Sequence, residues 1–219
     1  MTGLCHVEPG SSALAIGDDD LAVLKVSVSS MDNNVYLLTD PTSGEQALID
    51  AADDAERLLD LVGRHGNGLL RLIITTHRHW DHHRALAQLT AATGAQVLAG
   101  VADADALPVP VDRRVDHGDV VMLGTIQLTI IGLRGHTPGS IAVAASTARS
   151  SLLFSGDSLF PGGVGRTQAS EDFDALVDDV ENRLFGSYPD SAVVHPGHGD
   201  STTLGAERPR LPQWRSRGW

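Results

Sequence analysis

Residues 75 to 85 read TTHRHWDHHRA, and four of the chain's ten histidines fall between positions 77 and 83 together with Asp81. Imidazoles grouped with a carboxylate suit a borderline cation such as zinc or ferrous iron. Magnesium and calcium prefer all-oxygen ligand sets. In extended backbone, residues two apart project to the same side, so His77, His79 and Asp81 can converge. His82 follows where the chain turns. Three more segments offer partners from elsewhere in the chain. GHTPGS presents His136 after the apolar run IQLTIIG, LLFSGDSLF presents Asp157, and VVHPGHGD presents His198. Each lies at the end of a strand-like run and is followed by small residues, the place where α/β folds expose functional side chains. A cation held there makes a nucleophile of water near neutral pH. The pattern therefore points to metal-assisted chemistry.

The elements that must position these residues are legible as short β-branched runs over 21–28, 34–39, 46–50, 71–76, 96–99, 126–132, 140–145, 151–155 and 192–195. Gly, Pro, Asn and Asp punctuate them. Helical patterns fall between some of the runs. DDAERLLDLVGRHG places Leu58, Leu59 and Val62 on one face and stops at Gly66. A second helix is expected to begin near Asp81 and close near Gly94, with His83 turned away from the cluster. The third, SEDFDALVDDVENRLFG, repeats Phe173, Leu176, Val177, Val180 and Leu184 at helical spacing, with Ser170 as the expected N-cap. The reading is one α/β domain over 1–219, with a core of about 20–205 and a tail from 206 to 219.

Composition narrows the partners. Hydrophobic residues make up 42% and charged residues 20%, as in globular proteins, and the formal net charge is −12. Nucleic acid is excluded as a partner, since phosphate binding needs a basic face. No apolar run approaches the ~18 residues that span a bilayer. The start, MTGLCHVEPG, lacks the features of a secretion signal, and Cys5 is the only cysteine. A cytoplasmic protein with no membrane partner is expected; the oligomeric state is left open. The skew of fifteen arginines to the single Lys25 points to a GC-rich genome.

The ordered set THRHWDH, GHTPGS, GDSLF and PGHG, with Asp50 ending ALID, resembles the metallo-β-lactamase superfamily over about residues 20 to 219. Within it, GDSLFPGGVGRT is similar to the corresponding segment of glyoxalase II-like hydrolases. The resemblance implies an αββα sandwich with a binuclear metal site at one edge. It implies two divalent ions, with zinc expected and iron or manganese also suited to the ligands. One ion would be held by His77, His79 and His136, and the other by Asp81, His82 and His198. Asp157 would bridge them, and Asp50 would orient the metal-binding loop. Asp81 and Asp157 are the catalytic carboxylates on this reading. The implied substrate is an acyl thioester of a low-molecular-weight thiol.

The chain departs from that pattern in three places. The stretch after His198, residues 199–219, is too short for the helical segment that helps full-length glyoxalase II enzymes hold glutathione. GRTQAS lacks the Lys and Tyr that line their thiol site, and His83-Arg84-Ala85 stands where x-Gly-Gly is usual. A mononuclear iron persulfide dioxygenase and a lactonase share the scaffold and remain rival readings. A β-lactamase, an RNA-processing enzyme and a metal-binding module without turnover fit less well. His195 is set aside in favour of His198, and His6, His65 and His117 are expected at the surface. The tail GAERPRLPQWRSRGW, with Arg208, Arg210, Arg215 and Arg217 among Trp214 and Trp219, reads either as an Arg-lined rim for substrate carboxylates or, preferably, as a packed segment with solvated charges.

Overall fold

The structure, a computed structural model, describes residues 5–218; Trp219 and the first four residues lie outside them. One sheet runs β1 (Leu14–Ala15), β2 (Ala22–Val28), β3 (Asn33–Thr39), β4 (Glu45–Ile49), β5 (Leu69–Thr75), β6 (Gln96–Gly100) and β7 (Arg113–Val115) in spatial as well as chain order. Its first four strands pair antiparallel, and from β4 to β7 they pair parallel. Parallel neighbours need crossovers, supplied by α1 (Ala55–Arg64) between β4 and β5, by α2 (Leu86–Thr93) between β5 and β6, and by a connection with a 3₁₀ turn at Ala104–Ala106 between β6 and β7. The second sheet contains β8 (Val120–Leu123), β9 (Ile126–Gly132), β10 (Ile141–Ser146) and β11 (Ser151–Gly156). A small hairpin follows, β12 (Leu159–Phe160) with β13 (Gly163–Val164). The second sheet is completed by β14 (Val193–Pro196) and β15 (Thr202–Thr203), in the order β15-β14-β11-β10-β9-β8.

Alternation along the strands explains the layering. Tyr36 and Leu38 of β3, Leu72 and Ile74 of β5, Leu128 and Ile130 of β9, and Leu152 and Phe154 of β11 meet in a core between the sheets. Val35, Leu37, Leu48 and Ile73 point the other way, onto Leu58, Val62, Leu86 and Leu89 of α1 and α2. On the far face, Ile131, Ala142, Ala144 and Leu153 pack against α3 (Ser170–Val180), α4 (Leu204–Glu207) and α5 (Leu211–Arg217). The period of two in each strand thus serves two cores. The architecture is the expected αββα sandwich.

Two expectations about helix starts are corrected. The chain makes only a 3₁₀ turn over Trp80–His82, and α2 begins at Leu86 instead of near Asp81. Asp81 and His82 are both buried toward the other ligands, which a regular helical ladder from Asp81 would not require of adjacent residues, and neither type is a strong helix former. Ser170 is the first helical residue, not the cap; Ala169 takes the extended cap position and no side chain caps it. Glu171 and Asp172 in the first turn suit the dipole instead. α3 then continues as a π-helical turn over Glu181–Phe185.

The tail packs. Leu211 and Trp214 are buried in the third core, Arg208 pairs with Asp190 at 2.6 Å, and Arg215 reaches Asp178 at 2.7 Å and Glu181 at 2.6 Å. Buried Glu207 accepts from Gly162 N at 2.9 Å and from Thr202 Oγ1 at 2.8 Å, tying the β12–β13 hairpin to the tail.

Candidate metal centre

The strand ends of both sheets meet at one edge of the sandwich. β5 delivers His77 and the turn that follows delivers His79, Asp81 and His82. The β9–β10 loop delivers His136, Asp157 follows directly after β11, and β14 leads to His198. Ligand atoms of His77, His79 and His136 lie within 4.8 Å of one another, as do those of Asp81, His82 and His198 and those of His77, His82 and Asp157. All seven residues singled out from the sequence are brought together. Asp157 lies between the first two groups: Oδ1 is 3.5 Å from His82 Nε2, and Oδ2 is 3.6 Å from His136 Nε2 and 3.5 Å from His198 Nε2.

Outer hydrogen bonds orient the imidazoles. His82 Nδ1 donates to Asp50 Oδ2 at 2.9 Å, His136 Nδ1 to the Arg166 carbonyl at 2.7 Å, and His198 Nδ1 to the Met31 carbonyl at 2.8 Å. Thr76 Oγ1 donates to Asp50 Oδ2 at 2.8 Å and so can accept from His77 Nδ1 at 3.1 Å. In these four rings the lone pair is left on Nε2, facing inward, which is how protein imidazoles are prepared for a metal. Asp50 also accepts from Thr76 N at 2.7 Å and takes positive φ, 58°, to turn the chain there. His79 differs, with Nδ1 directed at His77 Nε2 at 3.1 Å.

The donor set fits divalent cations on two observations. His136 Nε2 and Asp157 Oδ1 are buried without a hydrogen-bond partner, which is costly unless a cation or another polar group completes them. The cluster's own groups also place opposed charges side by side. Burial opposes charge on His82, yet Asp50 and Asp157 outweigh it and push it up to about 10. Burial and then the neighbouring His82 hold His77 well below its ordinary value. Burial likewise disfavours charge on Asp157, but bonds from His198 and His82 hold it well below the usual carboxylate range. Space is kept for the cluster by a glycine: a Cβ at Gly197 would meet Asp157 Oδ1 at 2.3 Å and His82 Cε1 at 2.6 Å.

Sequence reasoning missed the residues that hold these segments. Buried Asp103 accepts from Arg78 N at 3.0 Å and Gly139 N at 2.9 Å, and from Thr137 Oγ1 at 2.5 Å. One carboxylate thereby joins the His77–His79 turn to the loop after His136. The loop carrying His198 is pinned from beneath by Tyr36 Oη on Pro196 O at 2.6 Å and Asn34 Nδ2 on Gly199 O at 2.9 Å. Lys25 Nζ also donates to Gly199 O, at 2.6 Å. The available signal was a lone lysine and two asparagines inside otherwise apolar strands. His195, one strand residue before Pro196, is buried between Tyr36 and Phe154 and bonds Ser201, away from the cluster. His83 bonds the Arg78 carbonyl, and His6, His65 and His117 are exposed.

Beside the first group opens a cavity of about 430 Å³ lined by His79, His136, Arg166, Thr167 and Gln168. A second cavity of about 430 Å³ lies behind the GHTPGS loop, lined partly by Arg134 and Arg183. Those two arginines are committed to Asp179, at 2.8 and 3.2 Å, so it offers no free cation there.

Comparison with known proteins follows the same lines. The family model of the metallo-beta-lactamase superfamily matches residues 31–203. A hydroxyacylglutathione hydrolase of Fuscovulum blasticum is 42% identical over 135 residues, covering 62% of this chain and 51% of that enzyme. The chain thus spans about half that relative's length. Among solved structures, ETHE1 from Myxococcus xanthus superposes with a TM-score of 0.73 at 27% identity, over 92% of this chain and 84% of that one. TTHA1623, solved in a di-iron-bound form, does so with a TM-score of 0.71 at 30% identity, over 87% and 99%.

Proposed function

This chain belongs to the metallo-β-lactamase superfamily, and from that premise we propose that it is a binuclear metal-dependent hydrolase of small-thiol thioesters. The observation that carries the reading is Asp157, whose carboxylate lies between the two groups, with Oδ2 facing both His136 and His198 and Oδ1 facing His82. His77, His79 and His136 would hold one cation, Asp81, His82 and His198 the other, with Asp157 shared. Two such cations would supply an activated water and polarise a carbonyl.

The chain's own residues do the rest. Asp50 holds His82 in the tautomer that offers Nε2 and fixes Thr76 at the head of the turn. Asp157, kept ionised, supplies negative charge where the two groups meet. The cavity beside His79 and His136 gives the thioester a place to lie, with exposed Arg166 and Gln168 at its mouth to meet the polar end of the thiol carrier. A thiol of pKa about 8.5 leaves as its thiolate without a proton donor. The chemistry therefore asks the chain for positioning and charge, not for a separate general acid. The hydrolase name of the Fuscovulum relative supports the same reading.

A second reading, a persulfide dioxygenase using one iron and molecular oxygen, draws support from the GVGRT segment and from the fold shared with ETHE1. Metal quantification on purified protein, beside a thioester panel with oxygen uptake monitored, separates the two. Two metals per chain and thiol release without oxygen uptake are expected. A single tightly held iron with oxygen consumption overturns the hydrolase.

A further inference from the structure

Asn33 opens β3 and is fully buried, although its side chain is polar. It follows a tight turn in which Ser29 and Asp32 both take positive φ, 66° and 58°. That turn serves the Asp81–His82–His198 group through its backbone. Met31 O accepts from His198 Nδ1, Asp32 O accepts from Gly199 N at 3.2 Å, and Asn33 forms an isolated antiparallel bridge with His198.

The carboxamide of Asn33 reaches the same group through its side chain. Nδ2 lies 3.0 Å from Asp81 Oδ2, 3.1 Å from Asp81 O and 3.5 Å from His198 Nε2. Asp81 Oδ2 is also the oxygen that faces the neighbouring imidazoles, 3.6 Å from His82 Nε2 and 3.3 Å from His198 Nε2. The orientation of the amide is set by Ser29 Oγ, which donates to Asn33 Oδ1 at 2.6 Å and leaves the NH₂ toward Asp81. A neutral donor with two hydrogens can hold both the backbone and the carboxylate of Asp81. It adds no charge, and it takes one lone pair of Oδ2 while leaving another for a cation.

We propose that Asn33 is a positioning residue for Asp81, so that cation affinity of the Asp81–His82–His198 group, and not of the His77–His79–His136 group, depends on the β2–β3 turn. The inference rests on the metal-dependent reading above.

The test is a cobalt(II) titration of the chelator-stripped full chain, followed by absorption and chelator competition. Wild type, Asn33→Ala, Asp81→Ala and the double variant are compared. Asn33→Ala is expected to weaken one of two sites by about 10–100-fold, the usual effect of removing a partner behind a metal ligand, and to leave the other unchanged. The double variant should match Asp81→Ala alone, because Asn33 acts through Asp81. Equal weakening of both sites, added loss in the double variant, or unchanged affinity at both sites overturns the inference. If Asn33→Ala fails to fold by its thermal melt, Asn33→Ser carries the same comparison. A wild type whose cobalt binding does not depend on Asp81 overturns the functional reading and this inference with it. One that needs Asp81 but not Asn33 overturns the inference alone.

Discussion

Asp157 offers Oδ1 to His82 and Oδ2 to His136 and His198, so deleting its carboxylate strips a ligand from both groups at once. His136 belongs to one group only. Asp157→Ala should therefore lower the metal content of purified protein toward zero, while His136→Ala should retain about one ion per chain, a difference that elemental analysis reads directly. Similar losses in the two variants would speak against a shared carboxylate. Asp81 gives a sharper chemical probe. Its carboxylate is held below its usual pKa against the opposing effect of burial, with the bond from Asn33 the largest favourable influence. Asp81→Asn keeps the shape and removes the charge. Turnover on the best thioester should fall on the order of 100-fold with the thermal melt little changed, and a near wild-type rate would show that Asp81 is not a ligand.

At the scale of elements, turns also tie the two sheets together at the end of β3 opposite the site, and Asp40 shows how. It sits after β3, accepts from Thr42 N at 2.9 Å, and reaches across to Thr125 N at 2.8 Å in the β8–β9 turn. Gly124 takes φ +56° there, and a Cβ on it would meet Asp40 Oδ2 at 2.1 Å. Burial disfavours the Asp40 charge, yet the bonds from Thr125, Thr42 and Ser43 bring it down to about 2 from 3.8. A depressed folded pKa stabilises above the unfolded value, and that contribution is lost as pH falls through the folded one; here it amounts to about 2 kcal/mol. Asp40→Asn should lower the unfolding free energy at pH 6. The gap from wild type should close between about pH 4 and 2, as followed by urea melts across pH; a gap that stays constant would exclude the linkage. The strands that carry such turns were legible because β-branched runs end in Gly, Asp or Pro, and the ligands were legible because His and Asp recur at strand ends. Asp103, Asn33 and Lys25 were not, since a single polar residue within an apolar strand or a loop has no spacing to read. The late start of α2 was hidden for another reason. Local helical pattern from Asp81 is overridden by the need to turn Asp81 and His82 together toward the cluster.

Taken whole, the molecule surrounds a nest of imidazoles in a chain of formal net charge −12, and no helix among the described residues is long and apolar enough to cross a membrane. On the proposed function, the polar end of a thiol conjugate would look to arginines that are not already engaged. Arg208 and Arg215 are engaged in ion pairs along the tail, and Arg210 faces Glu207 at 3.5 Å. Arg166 stands exposed beside the cavity, and the Lys and Tyr expected of a glutathione site are missing from GRTQAS. A carrier other than glutathione is therefore expected, and the Arg-rich, Lys-poor composition of a GC-rich genome makes mycothiol the carrier to compare. Binding energy from that remote end should appear in turnover, because it orients the thioester at the cluster. The measurement is kcat/KM for matched acyl esters of glutathione, mycothiol and cysteamine on wild type and Arg166→Ala. Mycothiol is expected to lead. Arg166→Ala should reduce its advantage while leaving the cysteamine ester almost untouched, since cysteamine has no distant polar end to lose. A glutathione preference of about tenfold, or about 1.4 kcal/mol, would contradict the carrier assignment. Equal rates on all three would mean that the site reads the acyl group alone.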